Sequence, residues 1–283
     1  MLAGVCAPPA HALTAVDDAG VQLQLPNAAR RIISLSPHAT ELLFAIGAGS
    51  SVIAVVDYSD YPAAARQLPS VGSAAYLDME RILAYRPQLV VAWGSGNNAS
   101  RIEQLRALGI PVFASEPRDF EGIASNMERL GELTGTAQQA RSVAGHFRQQ
   151  VRSLQSRYRQ RRPVSVFYQA WDAPLMTLNH QHLVSQVLTL CGGSNVFGSL
   201  SQLAPTVGIE DVIARNPEVI LNASGRPEGD SNASWLRFTQ LTAVRRGNLF
   251  VLDPDLLTRA TPRIVQGAEQ VCRALDAARA KTR

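Results

Sequence analysis

Lysine is nearly missing from this chain: of its 27 basic residues only Lys281 is lysine, the others being arginine, and the formal net charge is +4. The densest basic run, 157–162, carries no aromatic platform beyond Tyr158. It reads as the solvated end of a helix, whose negative pole favours cations, and a nucleic-acid partner is not expected. Long apolar runs are also missing. Nothing past the first residues approaches the ~20 a membrane span requires, so contact with a membrane is expected to be peripheral and through a partner only. The patterns of catalysis do not stand out either: no nucleophile with its base, and no twin carboxylates around a shared cleft. Ser34 and Ser36 lie outside any G-x-S-x-G setting, and the glycines of Trp93-Gly-Ser-Gly96 form no phosphate loop. No catalytic residue is expected, and the chain reads as a non-enzyme. Histidine is sparse, with His11, His38, His146, His180 and His182; the pair His180/His182 is more often exposed loop than metal site, and no metal centre is expected.

Cysteine is limited to Cys6, Cys191 and Cys272. Residues 1–12 are small and apolar and end in Ala10-His11-Ala12, the small-x-small pattern that a signal peptidase cuts after. No basic residue precedes Arg30, so the segment reads as the remnant of a clipped signal peptide, with cleavage before Leu13 and export to the periplasm. Val5 stands where a lipoprotein site wants a small residue, which argues against a lipid anchor at Cys6. Cys6 would leave with the signal. Cys191 and Cys272 then form an even pair in an exporting context, readable as a disulfide or as two buried thiols, while two isolated cysteines make a poor metal site.

What is present is a soluble, core-rich composition: 283 residues, 46% hydrophobic and 18% charged, enough for about two domains. The stretch 137–162 has no proline and a single glycine, Gly145. Its apolar residues Val143, Phe147, Val151, Leu154 and Tyr158 fall at steps of three and four, the stripe of an amphipathic helix ~39 Å long. The flanking sequences repeat the rhythm of strand, loop, helix, strand expected of parallel sheets, whose strand-end loops carry ligand sites. After a mobile start, strands are expected at 31–36, 51–56, 88–93 and 110–114, with helices at about 39–47, 78–85, 100–108 and 123–134. Residues 37–40 read as the loop after the first strand. Beyond the long helix, strands are expected at 164–169, 218–221 and 249–252, and helices at 183–191, 208–214 and 264–280. The resulting fold class is α/β: two Rossmann-like lobes joined by one long rigid helix, with a ligand cleft between them. The boundaries are 1–12 for the signal remnant, 30–135 for the first lobe, 136–162 for the linker helix and 163–283 for the second lobe.

An internal echo supports the two-lobe reading. ERILAYRPQLVV from Glu80 aligns without gaps on EDVIARNPEVIL from Glu210: glutamate, alanine and proline coincide, and five further positions are aliphatic in both. Glu80 and Glu210 therefore fall at equivalent points at the starts of equivalent helices, where each carboxylate also complements its helix N-terminus.

The stretches RIISLSPHATELLFAIGAG, DYSDYP, ERILAYRPQLVVAW, LTLCGGSNVF and RATPRI, spaced from about Arg30 to Ala278, resemble the periplasmic cobalamin (corrinoid)-binding proteins of ABC importers. That family belongs to the substrate-binding proteins whose two lobes are joined by one rigid helix. The resemblance implies a Cys191–Cys272 disulfide, a monomer, and docking of Glu80 and Glu210 onto arginines of a dimeric ABC importer permease. It implies ligand contacts from Pro37, His38, Ala39, Tyr58 and Trp93 in the first lobe and from Trp171, Met176, Asp255 and Arg259 in the second. The corrinoid would be transported ligand, with no resident cofactor. A broad macrocycle fringed with amides suits aromatic faces plus a few orienting polar groups. Read without the resemblance, Trp93 is ordinary core at a strand end and Asp255/Arg259 a helix ion pair. This chain departs from the family pattern at Ala74, Ala204 and Leu256, where tryptophans are expected; Tyr76 and Trp171 could refill some of that space. A heme or ferric-siderophore binder of the same fold is the alternative, with Tyr58 or His38 as iron ligand. A helical rod lacks a strand-pair hinge, so only a few degrees of closure on ligand are expected.

Overall fold

The computed structural model describes residues 12–225 and 232–281; Cys6 and all of the expected signal remnant except Ala12 lie outside them. The described chain begins with an antiparallel hairpin of β1 (Leu13–Val16) and β2 (Gln22–Leu25), turning at Gly20 with φ 81°. A mobile start is therefore not what this sequence forms. Ala15, Leu23 and Leu25 alternate inward, the period-2 pattern of a half-buried strand. The buried Asp17 ties the turn together by accepting from the N–H groups of Ala19 and Val21 at 2.9 and 2.8 Å.

The chain then alternates strand and helix: β3 (Ile32–Ser34), α1 (Pro37–Ala45), β4 (Val52–Val55), α2 (Met79–Ala84), β5 (Leu89–Trp93), α3 (Ala99–Ala107), β6 (Val112–Ser115) and α4 (Phe120–Thr134). The four strands are parallel in the order β4-β3-β5-β6. Sheets covered on both faces need uninterrupted apolar strands, and Leu89, Val90, Val91 and Ala92 are all buried. Residues 37–40 correct one expectation. They are the first turn of α1 and not a loop, because Ser36 caps the helix by accepting from the Ala39 N–H and Pro37 takes the first helical position, where its missing N–H costs nothing.

The long helix α5 spans Ala137–Tyr158. It stops short of residue 162 because Pro163 disfavours helical geometry in the residue before it. Phe147, Leu154 and Tyr158 of its stripe are buried, as are Ala140 and Ala144. By compactness the chain divides within this helix: the first unit extends to Pro117 and takes Gly122–Gly145, and the second comprises Arg118–Glu121 and the chain from His146.

The second unit contains β7 (Val164–Gln169), the short hairpin β8 (Trp171–Asp172) and β9 (Leu175–Met176), α6 (Leu183–Leu190), β10 (Gly193–Asn195), α7 (Ile209–Arg215), β11 (Val219–Asn222), α8 (Ala233–Leu236), α9 (Thr242–Arg245), β12 (Leu249–Val251), α10 (Pro254–Thr258) and α11 (Ile264–Ala280). Its sheet is parallel in the order β10-β7-β11-β12, the same winding as the first: second, first, third, fourth strand. The register that aligns Glu80 with Glu210 also aligns Arg86 with Asn216. Both adopt left-handed backbone, φ 45° and 43°, immediately before the shared proline. Such geometry is uncommon outside glycine, so its recurrence shows one helix-stop-strand unit used twice. Cys191, at the C-terminus of α6, is bonded to Cys272 of α11.

Candidate functional site

In a parallel sheet every strand ends on one edge, and loops gather there. In the first unit that edge holds His38 after β3, Tyr58 after β4, Trp93 at the end of β5 and Ser115 at the end of β6. Tyr58 is 81% exposed and sits at φ 64°, a strained conformation for a bulky residue. The turn is held by its neighbours: Asp57 N–H donates to Gly72 O at 2.8 Å, and Thr40 Oγ1 donates to Ser59 Oγ at 3.2 Å. Residues 69–72 bond alongside β4 through Val55 and Asp57, which brings Ala74 and the 76% exposed Tyr76 to the same edge.

Trp93 is 37% exposed, so it is not ordinary core. Its N–H donates to Asn97 Oδ1 at 2.7 Å, and Asn97 Nδ2 donates to Leu35 O and Ala74 O at 3.0 and 2.8 Å. One buried amide thus ties the Trp93 loop to the segment bearing Ala74. A Cβ on Gly96 would lie 1.9 Å from Trp93 Cε3; the indole rests on a glycine because nothing larger fits. In the sequence Gly96 is notable only as no part of a phosphate loop, and Asn97 carries no signal beyond its place in WGSGNN directly after a strand.

His38 and Ala39 lie beneath the surface of this edge. Ala39 is fully buried and His38 is 8% exposed, leaving Pro37 as the accessible member of that turn. The imidazole meets Trp93 edge to face, centroids 5.8 Å apart. Its Nδ1 lies 3.1 Å from Ser36 Oγ and its Nε2 3.2 Å from Ser115 Oγ. Burial lowers its pKa to about 4, so the ring is neutral at pH 7 and braces the indole from behind.

In the second unit, β8 and β9 follow β7 directly and pair Trp171 opposite Met176, adjacent side chains on one face of a hairpin. Trp171 is 55% exposed and Met176 partly so. The hairpin base is anchored by Gln169, whose side chain donates to Asp172 and accepts from Trp235 Nε1 at 2.6 Å. Asp255 and Arg259 form an ion pair of 3.0 Å along α10, with the carboxylate half-exposed and the guanidinium mostly covered. The Met176–Thr206 bridge and the Thr177 N–H to Pro205 O bond set the exposed Ala204 beside this hairpin. Leu256 is different: it is buried, with its carbonyl packed on Gly267 of α11, so it presents no surface in place of the expected tryptophan.

Glu80 and Glu210 are each the second residue of their helix, α2 and α7, and both are exposed. Asp78 caps α2 by accepting from the Arg81 N–H at 3.0 Å, and Asp211 accepts from the Gly208 N–H at 3.1 Å. Asp78 and Asp211 thus bond at the two helix starts, and Glu80 and Glu210 stay exposed. His182 caps α6 with Nδ1 accepting from the Val184 N–H, and His180 Nδ1 lies 2.6 Å from Gly198 O. Among the described residues no three His, Cys, Asp or Glu gather as a metal site, and no helix is long and apolar enough to cross a membrane.

Two α/β units with parallel sheets and exposed aromatics at their strand ends, joined by one long helix, define a helix-linked substrate-binding protein. Residues 32–256 match the periplasmic binding protein family, and the chain belongs to it. It is similar to the vitamin B12-binding protein of Yersinia pestis (strain Pestoides F), 40% identical over 252 residues, 88% of each chain. The crystal structure of the periplasmic vitamin B12 binding protein of Vibrio cholerae superposes with a TM-score of 0.83 at 36% identity, covering 89% of this chain and 98% of that one. The periplasmic heme-binding protein RhuT from Roseiflexus sp. RS-1 shares the fold, with a TM-score of 0.78 at 24% identity over 89% of this chain and 100% of the other.

Proposed function

We propose that this periplasmic protein captures cobalamin or a related corrinoid and delivers it, as a monomeric carrier and not an enzyme, to the dimeric permease of an ABC importer. The observation that carries this reading is likeness to vitamin B12-binding proteins over 88% of the chain. The site supports it, since a flat amide-fringed macrocycle is recognised by aromatic faces with a few polar anchors. Tyr58, Trp93, Pro37, Trp171 and Met176 are the proposed apolar contacts, and the Asp255–Arg259 pair the proposed anchors. His38 and Ala39 act from behind as support. Tyr76 and Trp171 stand in for the indoles absent at Ala74 and Ala204. The ligand is cargo, with no resident cofactor.

The second reading is heme or a ferric siderophore, through the exposed phenol of Tyr58; His38 is poorly suited because both ring nitrogens already have partners. Calorimetric titration with cyanocobalamin, cobinamide and heme separates the two. Stoichiometric binding of the corrinoids without heme is expected, and binding of heme alone contradicts the proposal. Glu80 and Glu210 are proposed as the transporter contacts, because carboxylate-guanidinium pairs give orientation as well as attraction. Glu80→Ala with Glu210→Ala should abolish uptake in cells and leave ligand affinity unchanged; lost ligand binding would count against that role.

A further inference from the structure

The N-terminal hairpin is joined to Trp93 by a continuous chain of polar groups, buried from Asn126 inward, in which every proton can be assigned. It starts at Asp18, whose side chain is only 15% exposed and which pairs with Arg129 at 2.5 Å. A carboxylate only accepts. Asp18 Oδ2 takes the Glu116 N–H at 2.5 Å and Asn126 Nδ2 at 2.8 Å. Asn126 Nδ2 also donates to Gly122 O at 3.0 Å. Both acceptors fix the amide orientation and leave Asn126 Oδ1 facing Ser115 Oγ at 2.9 Å. The Ser115 proton is thereby committed to Asn126, so Ser115 Oγ faces His38 Nε2 as acceptor and the imidazole proton must sit on Nε2. Nδ1 is then the acceptor for the Ser36 hydroxyl, which is free to donate because Ser36 Oγ itself accepts from the Ala39 N–H. Asn126, Ser115 and Ser36 are fully buried, so water does not scramble the order.

We infer that the hairpin, through Asp18, Asn126 and Ser115, sets the tautomer and tilt of His38 and thereby positions Trp93 for ligand. These are positioning residues, since none is expected to touch the ligand. Two further links point the same way: Trp93 pairs with Ser115 across β5 and β6, and Gly94 N–H donates to Ser115 O. The inference rests on Trp93 being a ligand platform, but its first readout needs no ligand.

The test is nitrogen-15 NMR of the His38 ring and the Trp93 indole N–H in ligand-free protein, with Trp93→Phe used for assignment. The wild type should show a single Nε2–H tautomer. Asp18→Ala should give mixed tautomers and a shifted or broadened Trp93 signal. Asp18→Asn keeps an acceptor toward Asn126 while losing the charge facing Arg129, and should retain both wild-type signals. Asn126→Leu leaves the bonds from Asp18 to Glu116 and Arg129 in place and should behave like Asp18→Ala, which keeps the test open if that variant folds poorly. Cyanocobalamin affinity should fall about five- to tenfold in Asp18→Ala and Asn126→Leu, the range of a displaced but intact aromatic contact. Unchanged ring tautomer in Asn126→Leu, or identical behaviour of Asp18→Ala and Asp18→Asn, overturns the inference. Altered NMR signals in a protein whose wild type ignores corrinoids would instead fail the functional proposal and leave the positioning chain standing.

Discussion

The two units wind four parallel strands in the same order but are closed by different chemistry. In the first, the N-terminal hairpin is pinned across the sheet by carboxylates: Asp17 accepts from the Ala114 N–H at 3.0 Å and pairs with Arg106 at 3.3 Å, and Asp18 holds Glu116, Asn126 and Arg129. In the second, a covalent bond between residues 81 apart ties the first helix of the unit to the last. The lesson is that the winding is shared while the means of closing it is local, so the units should fail under different conditions.

The largest separation should come from the disulfide. Replacing Cys191 and Cys272 by alanine frees a loop whose closure is worth about 4.5 kcal/mol in the chain-entropy account. Urea unfolding followed by tryptophan fluorescence in a Trp93→Phe background, where Trp171 and Trp235 both report the second unit, should shift far more than amide exchange in β5. Equal shifts would erase the distinction.

Acid should affect both units alike. His38 and His182 sit at the starts of α1 and α6, and burial lowers the pKa of each to about 4 from an ordinary 6.5. Between those values the unfolded chain binds protons that the folded one refuses. Stability is therefore flat above about pH 6.5 and falls as pH drops toward 4, by about 3 kcal/mol for His38. The same urea titration repeated from pH 7.5 to 4.5 checks this, and His38→Gln should flatten part of the slope.

Asp17→Ala tests the first unit's closure alone. It leaves the N–H groups of Ala114, Ala19 and Val21 without their acceptor and should cost about 2 kcal/mol, visible as faster exchange in β1 and β6 with β7 unaffected. Smallest in stability is Gly96→Ala. It should change unfolding little, because Trp93 can swing outward, yet weaken cyanocobalamin binding measured by calorimetry.

Much of this fold is legible in the sequence. Parallel sheets buried on both faces leave continuous apolar runs, which place β5 and β7, and apolar residues at helical spacing place α6 and α11, each at or within a residue of its ends. The echo of Glu80 on Glu210 foresaw two equivalent helix starts. Misreadings have specific causes. Ser36-Pro37 carries a cap and a first-turn proline, yet the same pair also suits a loop, and the choice depends on Ser36 Oγ meeting the Ala39 N–H. The hairpin of β1 and β2 is hidden because LTAV does not alternate and because what makes it stable is Asp17 reaching Ala114, far along the chain. The resemblance implies a ligand contact at His38, and its place after β3 suits one; its partners, Ser36 and Ser115, are what show that the ring is covered. Short hairpins such as β8 and β9 are set by Gln169 and Trp235 and have too few residues to show a period.

The central claim is that the strand-end aromatics Trp93 and Trp171 bind a corrinoid. Calorimetric titration of Trp93→Ala and Trp171→Ala with cyanocobalamin tests it most directly. Each substitution should weaken binding by about tenfold or more while circular dichroism stays that of the parent protein; parent-like affinity in either variant would contradict the account.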